Sequence, residues 1–235
     1  MINIRQAPLG AGKGWITQSF KLFRERKLFW YSYIIFMILS GLILSALNGT
    51  ILIVGQAIGA IFFGYLGIGM LVALKKQLAG QAPQFEDVME PFTKKGKELL
   101  PILCFLAIIQ IIMSVSTANL NPEAFNPEDP LSNIGFSLLS ILISTTVGMF
   151  TIYSIPNVYF YEVGILDSLT SSFKICLRNL LPLTVYYLML VPVCILSAIT
   201  IVGIFIILPI VFISSLIMYF EFTGDGLLVG TKTDQ

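Results

Sequence analysis

The side chains in this chain that can do chemistry are mostly cations, and they come in clusters. Lys21, Arg24, Arg26 and Lys27 form one, Lys94, Lys95 and Lys97 a second, and Lys174 and Arg178 a third. Each cluster lies in or beside a short stretch whose apolar residues recur at steps of three and four. Bases in that setting attract anionic phosphate groups at a bilayer surface, at about 1 kcal/mol per well-placed base. These residues are therefore the candidate contacts for anionic lipid headgroups. Catalysis has less to work with. The chain has no His, which removes the commonest general base and metal ligand. Cys104, Cys176 and Cys194 are far apart and form no C-x-x-C pair, so they read as small apolar residues. No nucleophile stands beside a base. Gly10-Ala11-Gly12-Lys13-Gly14 lacks the spacing and the hydroxyl of a phosphate loop. No catalytic residue, metal ligand or cofactor is expected, and neither is enzymatic activity or nucleic-acid binding.

The elements that must position the clusters are apolar. The chain is 56% hydrophobic and 11% charged, where a soluble domain carries about 25% charged residues. Six apolar segments can be drawn, at 28–47, 51–74, 99–118, 134–160, 181–199 and 203–222. If each crosses a bilayer with the N-terminus inside, every Lys and Arg falls on the inner side. The outer parts then hold only the acids Glu123, Glu128 and Asp129. This is the positive-inside bias. It predicts an all-α, multi-pass membrane bundle forming one domain, with both termini cytoplasmic. The first segment is too long for a signal h-region and reads as a retained anchor.

The spans pair into three hairpins. Asn48-Gly49-Thr50 is a tight-turn signal, 119–133 an acidic irregular loop with three prolines, and 198–203 a short turn. Pro192, Gly203 and Pro209 interrupt the last pair, leaving open whether 183–222 makes two spans or a re-entrant hairpin. Each hairpin follows an amphipathic helix. That helix lies either at the acyl boundary or packed beneath the bundle, since periodicity alone cannot separate lipid from protein. Asp167 is available as an N-cap for the third. The order helix-then-hairpin repeats over 13–75, 85–161 and 165–222, with Phe20, Phe92 and Phe173 as the aligned positions. Aromatics at the inner ends, among them Trp30, Tyr33, Tyr159, Tyr219 and Phe220, read as bilayer anchors.

Within the spans the informative residues are small or neutral. Gly55, Gly59 and Gly64, with Gly67 and Gly69 beyond, and Ser140, Ser144 and Gly148 allow close helix packing. No charge lies in mid-span, which lowers the expectation of an ion-coupled pathway. A path, if there is one, would be lined by Gln110, Asn157, Ser140, Ser144 and Thr145. Pro156 should kink the fourth span. Glu162 and Glu221 sit at inner helix ends, either solvated or paired with Lys174 or Arg178.

The stretch 156–182, PNVYFYEVGILDSLTSSFKICLRNLLP, and the opening GWITQSFKLFRERKLFW resemble a family of uncharacterised bacterial multi-span inner-membrane proteins. The resemblance implies a bacterial inner-membrane location and brings no activity. More distantly, the alternation of amphipathic helix and hairpin is similar to the membrane domain attached to glycerophosphodiester phosphodiesterases. Their catalytic domain has no counterpart here. The expected function is an organising or accessory role through the basic inner face, with a membrane-protein partner or a second copy of the chain. The alternative is a permease or lipid-translocating protein.

Overall fold

The computed structural model describes residues 2–48, 52–124, 130–198 and 201–224. The regular elements among them are all helices: α1 (Ala11–Glu25), α2 (Lys27–Asn48), α3 (Leu52–Leu78), α4 (Phe85–Lys94), α5 (Gly96–Ala124), α6 (Pro130–Thr151), α7 (Ser154–Tyr161), α8 (Ile165–Arg178), α9 (Leu180–Ala198) and α10 (Ile201–Thr223). Six stretches are long and apolar enough to cross a membrane: Lys27–Ala46, Ile53–Leu78, Gly96–Ser116, Ser137–Tyr161, Leu180–Ser197 and Phe205–Thr223. The chain therefore reads as a multi-pass membrane protein. The last pair forms two helices, each long and apolar enough to cross a membrane, with helix running through Pro192 and Pro209.

One loop expectation changes. Helix α5 continues to Ala124 and α6 begins at Pro130, so most of 119–133 is helical. Gly49 and Thr50 of the Asn48-Gly49-Thr50 turn, Ile199 and Thr200 of the 198–203 turn, Glu128, Asp129 and Lys232 lie outside the described residues.

Pro156 does break the fourth span. A proline ring collides with the carbonyl four residues earlier, here Ile152, and the helix stops between α6 and α7 at Ile152 and Tyr153. Pro156 then falls in the first turn of α7, where its missing N–H costs nothing.

The buried core gathers at one end of the bundle. Trp30 donates its indole N–H to Gln77 (3.0 Å), and Gln77 donates to the Leu22 carbonyl (2.8 Å). The start of α2 thus meets the end of α3. Tyr65 on α3 bonds the Gly96 carbonyl at the start of α5, and Lys75 stands 5.0 Å over the Phe160 ring and 5.9 Å over Phe220. Trp15, Trp30, Tyr33, Tyr219, Phe220 and Phe222 are almost wholly buried here. This corrects the reading of Trp30, Tyr33, Tyr219 and Phe220 as bilayer anchors. Their rings fill the protein core, and Trp30 and Tyr33 find hydrogen-bond partners inside it, as buried aromatics with a polar tip require. At the other end, residues 141–146 of α6 and 191–196 of α9 are exposed on all sides.

The short helices each bury one face against the bundle. Helix α1 packs on α10 and α9, α4 on α3, and α8 on α6 and α7. Gly12, Trp15, Ser19, Leu22 and Phe23 are the buried residues of α1, and Ser168, Ser172, Ile175 and Cys176 those of α8. Phe20, Lys21 and Arg24, and Leu166, Lys174 and Leu177, stay exposed. Each short helix ends in a one-residue joint before a long helix: Arg26, Lys95 and Asn179, with φ/ψ of −133°/41°, −126°/22° and −109°/17°. Aligned on these joints, Met89 and not Phe92 matches Phe20 and Phe173. The three-residue offset is nearly one helical turn, and a 3.6-residue period cannot detect it. The N-cap of α8 is Gly164; Asp167 lies in the first turn instead, where its charge favours the helix dipole.

Cys176 is buried, and burial pushes its thiol up to about 11. A thiol rather than a thiolate is a poor nucleophile. With Cys104 and Cys194 replaced by Ala, Cys176 should resist a maleimide at pH 8 in mild detergent and label only after denaturation. Rapid native labelling would contradict the docking of α8.

Candidate functional site

Two features at the core end combine polar groups with position. The first is the junction at the break of the fourth span. Pro156 prevents the helix from closing there, so its backbone groups need outside partners. Ser172 of α8 supplies them. Its Oγ accepts from the Tyr153 N–H (3.1 Å) and donates to the Met149 carbonyl (2.8 Å). The hydroxyl is thus spliced between the two ends of an ordinary i→i−4 bond, a recognised cause of kinks. Four residues earlier on α8, the Ser168 carbonyl accepts from Asn157 Nδ2 (3.3 Å). Asn157 Oδ1 accepts from the Tyr219 hydroxyl of α10 (3.2 Å). Asn157, Ser168 and Ser172 are all fully buried. The junction is a polar lock joining α6, α7, α8 and α10. No signal in the sequence marked Ser172: a serine in an amphipathic helix is ordinary until a broken helix lies against it.

The second feature is the basic rim. The structure sorts its members by partner. Lys76 bonds Asp87 and approaches Glu90 at 3.9 Å. Lys94 pairs with Glu90 (3.3 Å). Lys95 pairs with Glu162 (2.5 Å) and donates to the Tyr159 carbonyl (3.2 Å). The Lys95 ammonium, first by its hydrogen bond and then by its charge, holds the Glu162 carboxyl below the usual carboxylate range. Arg178 Nη1 donates to the Ile4 carbonyl (2.9 Å). Lys21, Arg24, Arg26, Lys27, Lys97 and Lys174 are exposed. Glu162 and Glu221 therefore do not meet Lys174 or Arg178; Glu221 accepts from the Trp15 indole (2.5 Å). Asn179, the third joint, clamps the N-terminal segment: its Oδ1 accepts from Ala7 N (2.8 Å) and its Nδ2 donates to the Arg5 carbonyl (3.0 Å).

The small residues separate as well. A Cβ at Gly64 would overlap Leu103, and one at Gly69 would overlap the Val88 carbonyl of α4. At Gly59 the nearest contact would be Leu44 at 4.0 Å, and at Gly148 nothing lies within 4 Å. Gly55 is buried, Ser140 half-buried, and Ser144 and Thr145 are exposed. Gln110 is exposed on α5, whereas Asn157 is sealed in the lock. The structure does not bring these two together. Among the described residues no cluster of three His, Cys, Asp or Glu side chains could hold a metal ion.

No family model, curated protein or solved structure matches this chain. The functional reading therefore rests on the chain's own residues.

Proposed function

We propose that the chain is a non-enzymatic protein of the bacterial inner membrane that organises or assists other components through its basic, cytoplasmic face. In this reading both termini are cytoplasmic and the spans form three hairpins. Each hairpin is preceded by an amphipathic helix that is half docked in protein and half in contact with lipid. The three helix-plus-hairpin units are repeats. Burial at matched positions supports this. Seven residues before each joint stand Ser19, Val88 and Ser172, and seven after stand Tyr33, Ile102 and Tyr186, none more than 1% exposed.

The observation that carries the organising reading is the contrast between the rim and what lies beneath it. The rim presents Lys21, Arg24, Arg26, Lys27, Lys97 and Lys174 outward, over a core closed by Trp15, Trp30, Tyr33, Tyr219, Phe220 and Phe222. The polar groups that would line a path are divided between a sealed lock and an exposed helix face. The bare stretches 141–146 and 191–196 are surfaces for lipid, for a membrane-protein partner or for a second copy. Their exposed leucines and isoleucines suit any of these.

The test is purification from the source membrane in native nanodiscs, with mass spectrometry of everything retained. A stoichiometric protein partner is expected. It should be lost when Lys21, Arg24, Lys97 and Lys174 are neutralised and kept when Gln110 is changed to Ala. A chain recovered without protein but with one defined small molecule, sensitive to Gln110 and Asn157, would replace this reading with the permease.

A further inference from the structure

We propose that the recess between the N-terminal segment and α8 binds one anionic phospholipid of the adjoining leaflet. This deepens the reading above and rests on it. The recess, of about 350 Å³, is lined by Ile4, Lys174, Leu177 and Arg178. Lys174 and Arg178 are four residues apart and share a face of α8. Arg178 is held by the Ile4 carbonyl, which orients the guanidinium and leaves its other N–H groups for a phosphate. Lys174 pairs with no carboxylate among the described residues, unlike Lys76, Lys94 and Lys95. Among the described residues no acid lines the recess.

The order of chemistry along the chain selects the ligand. The two bases flank Leu177 and are followed by Leu180 and Leu181; the three leucines are 54%, 48% and 64% exposed. An apolar span begins at Leu180. A molecule that is anionic at one end and hydrocarbon at the other matches that sequence; a free anion or an acidic peptide would leave the leucines uncovered. The second wall is not mobile chain. Ala7 and Arg5 are tied to Asn179, and Arg5 N bonds the Phe222 carbonyl (2.8 Å).

Native mass spectrometry of the full chain from nanodiscs of phosphatidylglycerol and phosphatidylcholine tests this. One phosphatidylglycerol should remain bound per chain. Lys174→Gln, at an exposed side chain with no ion pair among the described residues, should weaken retention about fivefold, and Lys174→Gln with Arg178→Gln should weaken it further. Lys21→Gln with Arg24→Gln should leave it unchanged. Inorganic phosphate should not displace the lipid. If both double variants lose lipid equally, the rim binds diffusely and the site is overturned, while the basic-face reading stands. If phosphate displaces it, the ligand is a soluble anion and the lipid assignment is overturned. If the wild type shows no preference for the anionic lipid, the headgroup-contact role of the rim falls too.

Discussion

Replacing Gly69 by valine should unseat α4 from α3 and lower stability sharply. A Cβ there would overlap the Val88 carbonyl oxygen and lie 2.7 Å from Val88 Cα. Those are backbone atoms, so no rotamer change relieves the clash; the helix itself must move. Overpacking of this kind costs about 1–3 kcal/mol. Gly69→Ala should suffer less, because the gain in helix propensity of about 1 kcal/mol offsets part of the cost. Valine gains less and adds two more carbons. Moving α4 also strains the bond of Lys76 to Asp87 and the stacking of Tyr65 on Phe92, whose centroids are 4.5 Å apart. The melting temperature of detergent-purified Gly69→Val should fall by on the order of 5–10 °C. Gly67→Ala is the control. It lies on the same helix with nothing within 4 Å of its Cβ, and should melt with the wild type or above it. A Gly69→Val protein as stable as the wild type would mean that α4 does not sit on α3 at this point.

Ser172→Ala should be at least as damaging, by a different route. It removes the group that accepts from Tyr153 N and donates to Met149 O in a fully buried place. Each orphaned group costs about 1–3 kcal/mol. The helix cannot simply rejoin itself, because the Pro156 ring still opposes the Ile152 carbonyl. The expected result is partial release of α8, read as faster amide exchange across 165–178 and a lower melting temperature. Thr170→Ala on the same helix is the comparison. Its hydroxyl is exposed and, among the described residues, bonds the Leu166 and Asp167 carbonyls behind it, so removal should be near neutral. Equal exchange in both variants would show that the lock does not hold α8.

These two positions show how legible the chain was. Gly69 stood in a glycine-rich run together with Gly55, Gly59, Gly64 and Gly67, and nothing local distinguished it. What distinguishes it is Val88, which only the turn between α3 and α4 brings against it. Gly148 had the same claim from spacing and meets nothing. Among the bases, Lys95 and Lys97 are equivalent by spacing, yet one is paired with Glu162 and the other exposed. Glu162 is 67 residues away from Lys95, and no periodicity reaches that far. The break at Pro156, by contrast, was readable, because a proline's conflict with the carbonyl four residues back is local.

The sequence by itself determined the six long apolar segments, the helical class and the kink. Each depends on composition within a window of about 20 residues, the length a helix needs to cross a bilayer. Tertiary structure alone decided which aromatics became core, which glycines meet a backbone, which bases are neutralised by a carboxylate, and that Asn157 and Ser172 form a lock. Those outcomes depend on what another helix brings into contact. A side chain's own type fixes what bonds it can make, and packing fixes whether a partner is there to make them.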